Sequence, residues 1–253
     1  MKYKAIVADI DGTVVPVKID ALPSQKVLVA VQKAVDKGII FTLATGRPFG
    51  LVEYLVDHLK LDSPIIVDNG ATIYNSESKE VIHDTFIPTQ QANDILKMVR
   101  TYKKSYNVSC KSENLDSPEN LPSHLEVRKF VVHGLKPKEA ENLIDELNKS
   151  HKNLHVSKTS ANEGVEYFSV YISHATATKQ YAIAKLAEII GIQTQEIIAV
   201  GDHYNDFPLF MACGLKIAMG NAVDDLKAIA DYVAPSVEED GLAWVIEKFI
   251  LSD

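Results

Sequence analysis

The segment Asp9-Ile10-Asp11-Gly12-Thr13 sets two carboxylates two residues apart at the end of the short apolar run that begins at Tyr3, and Gly201-Asp202-His203-Tyr204-Asn205-Asp206 sets two more directly after Ile197 to Val200. Between them in the chain, Thr45-Gly46-Arg47 follows the apolar Ile39 to Ala44, and Lys179 opens a helix pattern just ahead of Ile197. Carboxylates so placed can attack as nucleophiles, move protons or ligate a hard cation. A hydroxyl, backbone N–H groups and a lysine are what a tetrahedral dianion requires. Taken singly, each cluster has an ordinary structural reading: an Asx turn, a helix cap followed by proline, a solvated lysine, a turn with an N-cap. What argues for chemistry is their common position at strand ends or adjacent helix starts, in one mechanistically sensible order.

The elements that must position these residues alternate. The apolar run ending at Asp9 reads as a buried strand, followed by a helix over about Ser24 to Lys37, a strand over Ile39 to Ala44, and a helix from Pro48 to near Lys60. Ile65 to Val67 continues the series, and Ala71 to Tyr74 with Glu80 to His83 reads as a hairpin. In the last third, helix Thr178 to Ile190 leads into strand Ile197 to Val200, helix Asp206 to Ala212, strand Leu215 to Met219, helix Val223 to Ala230, strand Tyr232 to Ala234 and a helix from Gly241. Such alternation predicts an α/β domain, a doubly wound and mostly parallel sheet with helices on both faces. Ligands of such sheets gather beyond the carboxyl ends of the strands, so the four clusters converge despite their separation in sequence.

The middle third has a different grammar. Helix Thr89 to Tyr102 precedes strands Val108 to Lys111 and Leu125 to His133; helix Lys138 to Ser150 precedes Leu154 to Lys158 and Glu166 to Ile172, with polar Ser112 to Ser123 as a loop. This αββαββ order predicts a separate α+β module over residues 84–175, inserted into a core made of residues 1–83 and 176–253.

Bringing Asp9, Asp11, Asp202 and Asp206 to one crevice costs about 4 kcal/mol per pair of like charges a few ångströms apart at an effective dielectric of about 20, so a counter-cation is expected. The obvious ligands are all oxygens, which favours Mg²⁺ over zinc and leaves positions for water and a substrate phosphate oxygen. Lys179 adds positive charge, and the Thr45 hydroxyl with the N–H groups at the following helix start can bind phosphate oxygens.

Composition narrows the partners. A formal charge of -8 at pH 7 works against binding nucleic acid or anionic lipid, though a local basic pocket can still hold a small anion. The two cysteines, Cys110 and Cys213, have no nearby Cys or His partner and read as reduced thiols of a cytoplasmic protein. No apolar stretch approaches the ~20 residues that span a bilayer, so neither export nor a membrane partner is expected. The length suffices to bury a core without a disulfide or structural metal.

Asp9-Ile-Asp-Gly-Thr13, Thr45-Gly-Arg47, Lys179 and Gly201-Asp-x-x-Asn-Asp206, followed by Ala218-Met-Gly-Asn-Ala222, resemble the motif set of the haloacid dehalogenase superfamily across the whole chain. The inserted module resembles the type IIB cap of that superfamily, as in Cof-type sugar phosphatases and the similar archaeal phosphoglycolate phosphatases. The resemblance implies that Asp9 is the nucleophile and Asp11 the general acid and base. It implies that the Asp9 carboxylate, the Asp11 backbone carbonyl and Asp202 hold Mg²⁺, with Asp206 behind them orienting the metal site or Lys179. Thr45, the Gly46 amide and Lys179 would bind the transferring phosphoryl group, Asn205 would contact phosphate or substrate, and Arg47 would do so or brace the loop. Gly12 would allow a tight turn, Asn221 would support the loop, and His203 reads as a variable position. Relatives often carry Gly after the motif lysine, where this chain has Gln180, which leaves the local geometry open.

The activity so implied is Mg²⁺-dependent hydrolysis of a phosphomonoester of a small metabolite, a sugar phosphate or phosphoglycolate-like compound, through an aspartyl-phosphate. Asp11 argues against a dehalogenase. The alternatives are a phosphomutase or phosphotransferase of the same fold, which phosphate release without an acceptor would exclude, and a non-catalytic phosphometabolite-binding protein, which binding without turnover would reveal. Loops around Arg128-Lys129 and Glu163-Gly164 are the candidates for substrate selection, and a monomer or weak homo-oligomer is expected.

Overall fold

A computed structural model of the chain describes residues 2–18, 20–160 and 167–252. Strand β1 (Ala5–Ala8) is buried along its whole length. Ser24 caps α1 (Gln25–Asp36), its Oγ accepting the Val27 N–H at 3.2 Å, and the helix leads to β2 (Ile40–Leu43). The single helix expected from Pro48 is broken: a 3₁₀ turn, Phe49–Leu51, gives way at Val52 (φ -129°) to a short α2, Glu53–Leu59. Gly50 in that first turn weakens helix propagation, so the helix start expected to offer its N–H groups after Thr45 is a 3₁₀ turn instead. Strands β3 (Ile65–Val67), β4 (Thr72–Tyr74) and β5 (Val81–Asp84) make a small sheet in that order, and a parallel bridge from Ala44 to Ile66 sets β3 beside the end of β2.

Next come α3 (Thr89–Thr101), β6 (Tyr106–Cys110), β7 (Asn114–Asp116), β8 (Val127–Leu135), α4 (Pro137–Ser150), β9 (Leu154–Ser160) and β10 (Phe168–His174). Their five-stranded sheet has the order β7-β6-β8-β10-β9. Ile95 and Val99 of α3 and Leu143 and Leu147 of α4 pack with Phe130, Val132, Val170 and Ile172 in a core of its own. The stretch 112–123, expected to be all loop, contributes β7 as an edge strand: Asn114-Leu115-Asp116 is too short and too polar to show alternation, and it forms by pairing with β6. Glu163 and Gly164 lie outside the described residues.

The chain continues through α5 (Lys179–Ile190), β11 (Ile197–Gly201), α6 (Phe207–Ala212), β12 (Leu215–Ala218), α7 (Asp224–Ile229), β13 (Tyr232–Val233) and α8 (Gly241–Ile246). Two compact units result, Met1–His83 with Thr178–Asp253, and Asp84–Ala177. The return to the first unit falls two residues later than the expected 176, because a turn closes through Ala177: its N–H donates to the His174 carbonyl at 2.8 Å. In the first unit β13, β12, β11, β1 and β2 lie in that order, all parallel. Successive residues of a strand face opposite sides. Ile6 and Ala8 therefore join the cluster with α1, α2 and α8, whereas Ala5 and Val7 join the one with α5 and α6. From β1 the chain winds outward to β2 on one side, and from β11 outward to β12 and β13 on the other. The reversal falls between β1 and β11, where a doubly wound sheet opens its crevice. Among the described residues no helix is long and apolar enough to cross a membrane.

Candidate active site

Asp9 follows β1 and Asp202 follows β11, so the two carboxylates flank the reversal point at the carboxyl edge. Asp206 closes the 3₁₀ turn Tyr204–Asp206. One carboxylate oxygen from each of Asp9, Asp202 and Asp206 lies within 4.8 Å of the others, and all three residues are buried. Lys179, 1 % exposed, sits at the first position of α5, and its Nζ donates to Asp9 Oδ1 at 2.6 Å and to Asp206 Oδ1 at 2.7 Å. A cation is disfavoured at a helix N-terminus and in a buried position, so these two carboxylates are what hold it there. Burial works to lower the Lys179 pKa, and the charges of Asp206 and Asp9 outweigh it and raise the value. Asp206 Oδ2 accepts the N–H groups of Asp202 and His203 at 2.9 and 3.0 Å, which shapes the loop after β11.

One lysine does not balance three buried carboxylates. Burial pushes the Asp9 carboxyl up to about 8, with the charges of Asp206 and Asp202 adding to the rise against Lys179. Burial and the Asp206 charge push Asp202 up to about 7, against the Thr13 hydrogen bond and Lys179. The site is short of positive charge, and its donors are hard carboxylate oxygens. Both features fit a hard cation such as Mg²⁺, which the carboxylates of Asp9 and Asp202 could hold.

A pH dependence follows for the metal-free protein. Asp9 and Asp202 bind protons more tightly folded than unfolded, so the stability they contribute is complete below their ordinary carboxylate range and is lost as pH rises through about 7 to 8. With EDTA, the melting temperature should fall by several degrees between about pH 6 and about pH 9, and Mg²⁺ should flatten that decline. Thermal melts across this range, with and without the metal, check it; a metal-free melting temperature that rises with pH would contradict the electrostatics.

The second strand-end loop lies beside the first. The Thr45 N–H donates to the Ile66 carbonyl at 2.9 Å, and its hydroxyl accepts the Arg47 N–H at 3.1 Å, which leaves the hydroxyl proton to donate elsewhere. Arg47 engages Asp11: Nε donates to Oδ2 at 2.9 Å and Nη2 to Oδ1, a fork that raises the guanidinium pKa. The half-buried Asp11 is thus held to the side, and Arg47 braces the first loop as well as its own. Asn205 is exposed in the Tyr204–Asp206 turn. Gln180 is exposed in the first turn of a regular α5, so the departure from glycine leaves that helix start undistorted.

Gly12 has φ +78°, and a Cβ there would lie 2.2 Å from Asp202 Oδ2. Asn221 Nδ2 donates to the Gly12 carbonyl at 2.8 Å while its Oδ1 accepts the Val237 N–H at 2.9 Å. Two features escape a reading of the motifs. Thr13 Oγ donates to Asp202 Oδ1 at 3.1 Å, although its place in the Asp-Gly-Thr run signals only a turn. The turn Asp68–Gly70, an Asn-Gly between a strand and a hairpin, packs against the Thr45 loop. Of the pair Arg128-Lys129, Arg128 is 5 % exposed and forks onto Asp84 at 2.8 and 2.7 Å, so it anchors the module internally. Lys129 takes the other face of β8, in register with Ser109 and Ser173.

The sequence profile of the haloacid dehalogenase-like hydrolases matches residues 6–127 and 109–246, and the chain belongs to that family. It is 30% identical to the 5-amino-6-(5-phospho-D-ribitylamino)uracil phosphatase YwtE of Bacillus subtilis, over 98% of each chain. It is 28% identical to the phosphoglycolate phosphatase of Methanosarcina acetivorans, over 98% of this chain and 96% of that one. The crystal structure of a haloacid dehalogenase-like hydrolase from Bacteroides thetaiotaomicron superposes with a TM-score of 0.79 at 26% identity, covering 98% of this chain and 100% of that one. Family and fold together define an enzyme of the phosphatase class, with a Cof-type core and inserted module.

Proposed function

We propose that this protein is a Mg²⁺-dependent phosphatase of the cytoplasm that hydrolyses a phosphomonoester of a small metabolite through an aspartyl-phosphate. The observation that supports it best is the buried Asp9–Lys179–Asp206 array with Asp202 alongside, at the reversal point of the sheet. Asp9, the Asp11 backbone carbonyl and Asp202 would hold the metal, with Asp206 fixing Lys179 and the Asp202 loop from behind. Bound Mg²⁺ supplies charge neutralisation at the phosphoryl oxygens. Thr45, the Gly46 amide and Lys179 bind the same oxygens, and Asn205 borders them from the Tyr204–Asp206 turn.

An Asp9 carboxylate oxygen attacks phosphorus in line with the ester bond, which breaks as Asp11 gives its proton to the departing alkoxide. Asp11 then takes a proton from water as that water attacks the phosphorus. The P–O bond to Asp9 breaks, releasing inorganic phosphate and restoring the Asp9 carboxylate and the protonated Asp11. The guanidinium fork of Arg47 complements the charged form of Asp11, so proton delivery requires that the fork open.

Residues 84–177 carry none of these groups, and they are proposed as the cap that selects the substrate, with the half-buried Lys129, on the face of β8 opposite Arg128, as one selecting residue. The names of the relatives suggest phosphorylated ribitylamino compounds and phosphoglycolate as first candidates. The test is a phosphate-release screen over these, sugar phosphates and nucleotides, with Mg²⁺ or EDTA and no acceptor alcohol. Metal-dependent release is expected, and Lys129→Ala should alter the rank order of substrates. Transfer to an acceptor without free phosphate would instead establish a phosphotransferase, and binding without turnover a sensor.

A further inference from the structure

The turn Asp68–Gly70 carries three successive positive φ values, 52°, 56° and 103°. Asparagine is among the few side chains that accept such backbone readily. The turn is tied to both elements that bind phosphate in the mechanism above. Asn69 N–H donates to the Thr45 carbonyl at 2.9 Å and Asp68 N–H to the Arg47 carbonyl at 3.0 Å. A Cβ on Gly70 would lie 2.3 Å from the carbonyl oxygen of Thr178, the residue that precedes Lys179. Asn69 therefore stands between the Thr45-Gly46 loop and the start of α5.

Its side chain fills the space that a larger residue at position 46 would need: a Cβ on Gly46 would lie 2.9 Å from Asn69 Oδ1 and 3.3 Å from Nδ2. Oδ1 is buried and has no hydrogen-bond partner among the described residues. No acceptor among them takes Nδ2. Native folds seldom leave a buried amide oxygen unpaired, and the half-buried Asn69, beside a candidate binding loop, keeps its Nδ2 free to donate to a ligand. A phosphate ester presents mainly acceptor oxygens near neutral pH, so the donor end is the one it needs. That end is Nδ2.

We propose that Asn69 is a substrate-binding residue whose Nδ2 donates a hydrogen bond to an oxygen of the phosphoryl group held by Thr45, Gly46 and Lys179; this rests on the phosphatase reading of that site. Two variants separate binding from support of the turn. Asn69→Asp keeps the shape and the tolerance of positive φ but replaces the donor with an anion. Asn69→Gly keeps the backbone and removes the amide. The probe is inorganic phosphate, titrated calorimetrically into the full-length protein with Mg²⁺, alongside KM and kcat for a substrate found in the screen.

Asn69→Asp should weaken phosphate binding by about 30-fold or more and Asn69→Gly by about 5- to 10-fold. Both should raise KM more than they lower kcat, with ligand-free melting temperatures near that of the wild type. Phosphate affinities of both variants within about twofold of wild type would overturn the role of Asn69. So would losses of affinity that track loss of folded protein. Wild-type protein that binds phosphate and hydrolyses no ester would overturn the phosphatase reading instead, and the calorimetric comparison would still decide on Asn69.

Discussion

Asp9→Asn should lower phosphate release by about 10⁴-fold or more, the scale on which loss of a covalent nucleophile acts. The amide has nearly the same shape, so the loss cannot be assigned to a collapsed site. The charge argument adds a second, opposite-signed effect. Asp9 is pushed up to about 8 by burial and by neighbouring carboxylates, so its anion is costly in the metal-free fold above that pH. Asparagine removes that cost, although it also takes an acceptor from Lys179 at 2.6 Å. The variant should therefore be inactive at every pH while its EDTA-treated form loses less stability on going to alkaline pH than the wild type does. Phosphate release and thermal melts on one preparation test both halves. Turnover of Asp9→Asn at the wild-type rate would exclude a covalent aspartyl intermediate.

Lys179→Met should have the next largest effect, through stability as well as turnover. Lys179 is the buried cation that contacts both Asp9 and Asp206, at 2.6 and 2.7 Å. Removing one partner of a buried ion pair typically costs about 3–5 kcal/mol, because the remaining charge stays buried without compensation. The metal-free variant should lose that order of stability near neutral pH and recover part of it on acidification, as the stranded carboxylates take up protons. Mg²⁺ should recover another part. Turnover with Mg²⁺ should fall by about 10²–10³-fold, the usual effect of deleting one donor to a developing oxyanion. Chemical denaturation with and without metal, beside steady-state kinetics, resolves the two effects. A variant as stable as wild type in EDTA would show that Lys179 does not carry the charge balance of the site.

Legibility from sequence followed the strength of local signals. The β1 run and its Asp-Ile-Asp-Gly-Thr end are apolar and β-branched up to an abrupt polar turn, so strand, loop and carboxylates were all readable. Lys179 was findable because the α5 pattern begins at it, but its burial was not, since that depends on Asp9 and Asp206 arriving from distant parts of the chain. The sequence leaves Arg47 between a phosphate contact and a loop brace for the same reason: two residues 36 apart in sequence give no sign that Asp11 is its partner. The apolar spacing after Pro48 continues through Gly50 and Val52 and so suggests one helix, while the backbone breaks there. β7 exists through its pairing with β6, and the Asn69 amide matters only against Gly46; neither leaves a periodic trace. Arg128, a charged residue on a strand, carries no sequence sign of Asp84, the partner that takes its guanidinium.

The position of β1 inside the parallel sheet, between β2 and β11, also bears on how the chain acquires its structure during synthesis. β1 is paired on one side by β2, available early, and on the other by β11, which lies beyond the whole of residues 84–177. A nascent chain that has emerged through β5 holds a buried-type strand with one edge unpaired and Asp9 without Lys179, 170 residues downstream. The contact from Thr13 to Asp202 spans 189 residues. Such long-range closure slows folding and prolongs exposure of strand edges. The inserted unit, by contrast, is contiguous in sequence and has its own apolar core, so it can fold as it leaves the ribosome. The order of events can then be inverted relative to the order of residues: the middle of the chain has all it needs to mature early, whereas the catalytic centre, begun at Asp9, waits for residues beyond it.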